Sequence, residues 1–452
     1  MSVKTDNKIF LWGEKFFHSW WYIALVTLIG SIGFVFRFEL ITIYIIVSIA
    51  AVSWVLCEDM LPSFIAMCII SMTPLKRYGE TGYFTDIYYV AVILGLALII
   101  RLFFHRPELR TGRFFIPTLA VAIAITLGGL PQLNAQKFFS MPSIYYVAAL
   151  GIGMVIINVI LESTLPEGKT YTDFFAKMTA GIGLMGIAMI ISAYAETFEI
   201  IQSGSREFVR YFQWGNNLSN MLLITMPFSF YMSLKNGKFS WAYFVLGILQ
   251  FFALLLSLSR GGVIFGTLEF LVCIVLTLVF AKEKRKIYLF SAVLLTGLAA
   301  LLLFLFLSPV IKSLGDSLTV SSDEARVKLY LLAWENFKKY PFFGTGLQYD
   351  GGLYYRPQPF CIYWYHSTIF QILGSLGIMG VIAYGIQSFY RLKALARVKD
   401  FFNIFTAVAI GGFAAYSIVN VGYFVPLPCM AILIQIFIIL DRNNAYILSG
   451  RK

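Results

Sequence analysis

The chain has 452 residues, 59% of them hydrophobic and 13% charged, and its mean hydropathy is +0.79. A soluble domain carries about a quarter charged residues, so this composition excludes a soluble globular protein and leaves an integral membrane protein. The net charge of +12 does not point to nucleic acid, because the basic residues gather in alternating loops, the bias of cytoplasmic loops in membrane proteins.

Lys4, Lys8 and Lys15 stand before a long apolar stretch without a small-residue cleavage pattern, which reads as a retained first span. Apolar runs lie near 20–36, 39–56, 60–74, 85–104, 114–130, 143–161, 175–195, 217–234, 239–258, 261–281, 286–308, 367–390, 401–420 and 424–440. At roughly 20 residues per span they predict an all-α polytopic membrane protein of about 12 to 14 transmembrane helices, with Pro62 in a short third run. The runs are continuous rather than alternating, which excludes a transmembrane barrel. By order along the chain there is an N-terminal transmembrane bundle over 1–200, then transmembrane helices with arginine motifs over 201–308. An extracytoplasmic loop with an amphipathic helix follows over 309–366, and C-terminal transmembrane helices over 367–452.

Orientation follows from Lys and Arg. Arg101, Arg106, Arg110 and Arg113, then Lys235 and Lys238, Lys282 to Lys286, and Arg391, Lys393, Arg397 and Lys399 share one side with both termini. That side is expected to be cytoplasmic. The opposite face receives 131–142, 196–216, 259–262 and 309–366.

Three features of the outer face stand out. The loop 202–220 places Arg210 before Gly215-Asn216-Asn217. Ser257-Leu258-Ser259-Arg260-Gly261-Gly262 is wedged between two apolar runs, leaving Arg260 at or near membrane depth, where a charge is costly unless it faces a polar cavity. Its glycines would let backbone approach a ligand, and the helix they open favours an anion at its N-terminus. The third feature runs from Ser321 to Gly380. Ser321 with Glu324 fits a capping box, and Val327, Tyr330, Leu331, Trp334 and Phe337 recur at helical spacing, a surface amphipathic helix that Pro341 ends. Arg326 sits near its N-terminus, where a cation opposes the dipole. Tyr349, Tyr354, Tyr355, Phe360, Tyr363, Trp364 and Tyr365 then offer faces for stacking on sugar rings.

The chain has three histidines. His18 and His105 fall among basic residues and are expected to be solvated. His366 opens an apolar run on the outer face, where the positive helix end disfavours imidazolium and keeps the ring able to accept a proton. Outer-face arginines imply an anionic ligand, since guanidinium binds phosphate oxygens in a fixed fork. With one neutral His they suit a transferase, the arginines holding a phosphate leaving group while the base activates a hydroxyl. The five cysteines form no CxxC pair, and no His/Cys/carboxylate cluster suggests a bound metal. There is no Walker loop, so the energy would come from the substrate.

These residues carry a resemblance. Arg210 with Gly215-Asn216-Asn217, Ser259-Arg260-Gly261-Gly262, Arg326 to Trp334, Pro341-Phe-Phe-Gly344-Thr-Gly346, and His366 to Gly380 with Gln371 together resemble the O-antigen ligase and polymerase family of bacterial membrane glycosyltransferases, over about residues 200 to 385. The resemblance implies a glycosyltransferase C-type membrane fold and a metal-independent, cofactor-free transfer of glycan from an undecaprenyl-diphosphate donor, on the outer face of the cytoplasmic membrane. It implies that Arg210 and Arg260, with Arg326, hold the diphosphate and that His366 activates the acceptor hydroxyl. The acceptor would be a glycan or a lipid-linked unit, with membrane lipids, a chain-length regulator or a flippase as further partners and no nucleic acid. Ser367 departs from the Asn that ligase-like members often carry after the His. Polymerisation of surface-polysaccharide repeats is favoured over ligation to lipid A core, wall polymer or protein, because the outer loop is short for docking a large acceptor. A flippase for lipid-linked sugars is the alternative of another class, and it should show polar groups on both sides of the midplane.

Overall fold

The computed structural model describes residues 8–72, 88–105, 108–133, 136–199, 215–235, 237–306, 322–348 and 362–450. Arg210, the capping Ser321, and Tyr349, Tyr354, Tyr355 and Phe360 lie outside them. The described residues form helices and no strands. They are α1 (Lys8–Phe17), α2 (Trp20–Val35), α3 (Glu39–Leu56), α4 (Leu61–Met72), α5 (Tyr88–Phe104) and α6 (Phe115–Leu127). A π-turn joins α7 (Met141–Ala148) to α8 (Met154–Thr164), followed by α9 (Thr172–Glu196), α10 (Gly215–Ser233), α11 (Ser240–Leu256), α12 (Arg260–Phe280) and α13 (Arg285–Phe306). The chain continues with α14 (Ser322–Lys339), α15 (Thr368–Ala396), α16 (Phe401–Ser417) and α17 (Ala431–Leu448).

Over its described residues each apolar run of the sequence is mainly helical, as expected of a polytopic all-α membrane protein. Eight helical stretches among the described residues are long and apolar enough to span a membrane, or up to nine if the bent pair α1–α2 (61°) counts as one. The expected 12 to 14 exceeds this because Leu61–Met72, Val92–Phe104, Ser240–Leu256 and Phe401–Ser417 are apolar but shorter than 18 residues. Helix starts are set locally: Ser19, Ser140, Ser259, Ser367 and Asp400 each accept a hydrogen bond from the backbone N–H three residues on.

The described residues fall into two compact units, each assembled from separate stretches: Met1–Thr172, Arg326–Val398 and Tyr423–Lys452 in one, Asp173–Ala325 and Lys399–Gly422 in the other. In the second unit α10 is the core. It is buried almost throughout, so its polar residues pair inside the protein: Ser219 Oγ lies 2.7 Å from Ser257 Oγ, and Ser229 Oγ donates to Gln250 Oε1 at 3.0 Å.

The first unit holds a polar cluster that corrects the expectation for two histidines. His105 is buried with Nε2 2.8 Å from the Val55 carbonyl, and His18 Nε2 lies 3.0 Å from Asp59 Oδ2. Arg101, counted among the loop cations, is also buried and donates to the Trp54, Cys57 and Glu58 carbonyls. These carbonyls lie in the last turn of α3, at its C-cap and one residue beyond, where a cation complements the helix end. Glu14, His18 and Cys57 also converge, with candidate ligand atoms within 4.8 Å of one another, a His/Cys/carboxylate group that the sequence did not suggest. Both His18 ring nitrogens already face oxygens, Asp59 Oδ2 at 3.0 Å and the Glu14 carbonyl at 2.9 Å, which is the bonding of an imidazolium donor rather than of a metal ligand.

A backbone clasp in the same unit fixes the start of α15. Gly377 (φ 62, ψ −152) breaks that helix and frees two carbonyls and two N–H groups. Thr345 N and Gly346 N donate to the Gly374 and Ser375 carbonyls (2.9 and 2.8 Å), while Ile378 N and Met379 N donate to the Pro341 and Phe342 carbonyls (2.8 and 3.1 Å). Gly129 N, just past α6, donates to the Phe343 carbonyl at 2.8 Å. Three backbones meet here with no space for side chains: a Cβ on Gly344 would strike Ser375, one on Gly377 the Pro341 carbonyl, and one on Gly129 the Gly346 Cα. Two glycine-bearing motifs of the sequence are therefore the two halves of one joint.

Candidate functional site

Arg260 opens α12 in the second unit. The connection from α11 is only Ser257 to Ser259, and it turns through Leu258 at φ 58, a left-handed conformation unusual for a residue with a side chain. Ser259 then caps the helix, its Oγ accepting from Gly262 N, so Arg260 is the first helical residue and is half-buried. Ser259 Oγ is held in turn: it lies 2.6 Å from Tyr416 Oη of α16 and donates to Asn216 Oδ1 of α10 at 2.8 Å, while Tyr416 Oη reaches the same Oδ1 at 3.1 Å. The two hydroxyls supply two protons for these three contacts, so the triangle is saturated at any instant. Gly261 and Gly262 serve packing rather than ligand approach, for a Cβ there would meet the Tyr416 ring and Ser219 Oγ. Two helices, α10 and α16, thus aim the first turn of α12. Ser259→Ala is expected to cost about 1–2 kcal/mol, lowering the thermal unfolding midpoint of the full chain in detergent, while Ser259→Thr, which keeps the cap, stays near wild type.

Arg326 and His366 belong to the first unit. On α14, Arg326, Tyr330 and Ala333 share one face at helical spacing. Tyr330 stacks on Phe370 of α15 (centroids 4.4 Å, 7°) and its Oη donates to the His366 carbonyl at 3.4 Å; Ala333 is buried beside Gly374, whose missing Cβ leaves the room. The adjoining stripe, Val327, Leu331 and Trp334, is exposed, as suits a helix lying at a membrane surface. His366 has φ 53 and precedes the cap Ser367 of α15. Leu258–Ser259 and His366–Ser367 are thus the same device, a left-handed residue followed by a capping serine that turns the chain sharply into a helix. Burial, reinforced by the nearby Arg326 guanidinium, pulls the His366 imidazole down from its ordinary 6.5 to about 4. Both causes, burial first and the cation second, disfavour the imidazolium.

Gln371 holds the approach to His366. Its Oε1 accepts from Tyr365 N at 3.0 Å, and its Nε2 donates to the Tyr363 carbonyl and to Ser375 Oγ, both at 3.0 Å. Tyr365 is 3% exposed, packs on Gly374 and accepts from Asn336 Nδ2 at 2.7 Å, so its ring is structural and gives no face to a sugar. Trp364 packs edge-on against Tyr146 (5.5 Å, 85°). Arg210 lies outside the described residues. Tyr416 had no signal in the sequence, since it reads there as one aromatic in an apolar run. Gln371, a polar residue one turn into such a run, was visible as part of a motif without a role.

Residues 244–385 match the family model for O-antigen ligase. The match starts inside α11 and ends inside α15, so it contains Arg260, Arg326 and His366 but neither Arg210 nor Tyr416. No curated protein matches the chain.

Proposed function

We infer that this chain, which carries an O-antigen ligase domain, moves a glycan from an undecaprenyl-diphosphate donor to an acceptor hydroxyl on the outer face of the bacterial cytoplasmic membrane, and that it polymerises surface-polysaccharide repeats. The match of residues 244–385 to O-antigen ligase carries this reading, and the lowering of the His366 pKa by burial and by Arg326 is in keeping with a base role. In the transfer, the acceptor oxygen attacks the anomeric carbon, the bond from that carbon to the diphosphate oxygen breaks, and undecaprenyl diphosphate departs with the electron pair. His366 takes the hydroxyl proton and becomes imidazolium. Arg210, Arg260 and Arg326 are the proposed ligands of the leaving diphosphate, their fixed charges supplying what phosphate chemistry often draws from a cation. A base titrating near 4 is weak in the free enzyme, but a bound diphosphate offsets the Arg326 charge and strengthens it when the donor is in place.

The test is a purified, reconstituted sample given lipid-linked oligosaccharide with EDTA present, its products separated by length. A ladder supports a metal-independent polymerase. Transfer only onto an added foreign acceptor makes the protein a ligase, and passage of intact lipid across the bilayer without chemistry makes it a transporter.

A further inference from the structure

Arg391 lies in α15, about 35 Å of helix path beyond Thr368 at 1.5 Å per residue. The sequence counts it with loop cations, yet it is 5% exposed. Its guanidinium carbon sits 5.3 Å from the Tyr423 ring centroid and 5.0 Å from that of Phe437. Two aromatic faces attract the cation and Tyr423 also hydrogen-bonds with it, but neither ring supplies a counter-charge. Among the described residues no carboxylate pairs with it. There is none in α15, and Asp441, the one in α17, is engaged by Arg397 and Arg113 at 3.2 and 3.4 Å. A buried, unneutralised charge in a membrane protein is costly and marks a ligand or an ion path.

Two more observations fall on the same helix face, four and seven residues before Arg391. Tyr384 Oη and Gln387 Oε1 are buried and have no hydrogen-bond partner among the described residues. The Tyr384 ring packs edge-on to Tyr423 at 6.3 Å, which ties the stripe to the ring that covers Arg391. A guanidinium fork, a phenol and a carboxamide lie in line. The fork and the phenol are donors that match the oxygens of a phosphate, the fork taking two and the phenol a third, whereas Gln387 Oε1 only accepts and suits a hydroxyl beside the phosphate. Lys393, Arg397 and Lys399 follow directly, so this end of α15 stands at the depth of headgroups.

We propose that Tyr384 and Arg391 seat a phosphate group, carried by a hydroxyl-bearing lipid headgroup of the leaflet opposite His366, with Gln387 Oε1 accepting from that hydroxyl. The site is separate from glycan transfer, and its test does not use that activity. The full chain is purified in a non-ionic detergent and stripped of lipid. Its unfolding midpoint is then followed while phosphatidylglycerol, inorganic phosphate or a phosphate-free galactolipid is titrated. Phosphatidylglycerol raises the midpoint and the galactolipid does not. Arg391→Met weakens the phosphatidylglycerol affinity at least ~10-fold, yet without lipid unfolds no earlier than wild type, because it removes a buried charge that has no carboxylate to neutralise it. Tyr384→Phe, which keeps the ring, weakens affinity about 5-fold and covers the case of an Arg391→Met chain that does not fold. A shift produced by inorganic phosphate and lost in Arg391→Met supports the site with a soluble occupant. A phosphatidylglycerol shift undiminished in both variants, or no shift with either phosphate, overturns the proposal.

Discussion

His366→Ala lowers glycan transfer by about 10²- to 10⁴-fold in the reconstituted assay, the usual contribution of a positioned general base. The left-handed backbone at this position (φ 53) complicates a bare alanine, which tolerates that conformation poorly. His366→Asn resolves the ambiguity. Asn enters the left-handed region more readily than other residues with side chains, and its amide cannot take up a proton at working pH. The two variants should lose activity alike while Asn keeps an unfolding midpoint near wild type. Wild-type rates in His366→Asn would remove the base assignment, whatever the alanine variant does.

The acid limb of the rate supplies a second reading of the same group. A ring held near 4 stays neutral from neutral pH down to about 5, so kcat/KM should not fall at 6.5 on its account but only near 4. Arg326→Met removes one of the two depressing causes. Burial is the larger, so the limb moves up yet stays below 6.5. Stability follows the linkage rule. The unfolded chain takes up this proton around 6.5 and the folded one only near 4, so the contribution of His366 to stability is lost as pH falls between those values.

What the sequence made legible was local. Bilayer thickness forces apolar runs into helices, and a serine before such a run caps it, so Ser259 and Ser367 could be read directly. Contacts between distant stretches were not legible. Nothing in the order of residues tells that Arg326 depresses His366, or that Gly261 and Gly262 make room for Tyr416 and Ser219 rather than for a ligand. Charge was misread for a related reason. Arg101, His105 and Arg391 look like solvated loop residues because they border hydrophilic segments, but each is turned inward and buried. Counting apolar runs fixed the helices but not the spans, because a helix enclosed by others need not reach from one headgroup layer to the next.

Gly377→Ala is expected to be the most damaging single methyl that can be added to the first unit. At φ 62, ψ −152 the residue occupies a region open essentially to glycine alone, which costs a side-chain-bearing residue about 1–3 kcal/mol. The added Cβ also points into the Pro341 carbonyl and the Phe342 backbone, which donate nothing and cannot swing aside, since both carbonyls accept from Ile378 and Met379. The joint must open for the methyl to fit, so the total exceeds ~3 kcal/mol and the unfolding midpoint drops by several degrees or more. Transfer falls with it, because the clasp fixes the helix that His366 precedes. Gly385→Ala is the matched control on the same helix: its Cβ meets nothing within 4 Å, and the better helix former should leave stability unchanged or raise it by up to about 1 kcal/mol. Equal midpoints for the two alanines would mean that the break at Gly377 is not a packed joint. A large drop confined to Gly377→Ala would tie the paired glycine motifs to the architecture that presents His366, and not to the chemistry it performs.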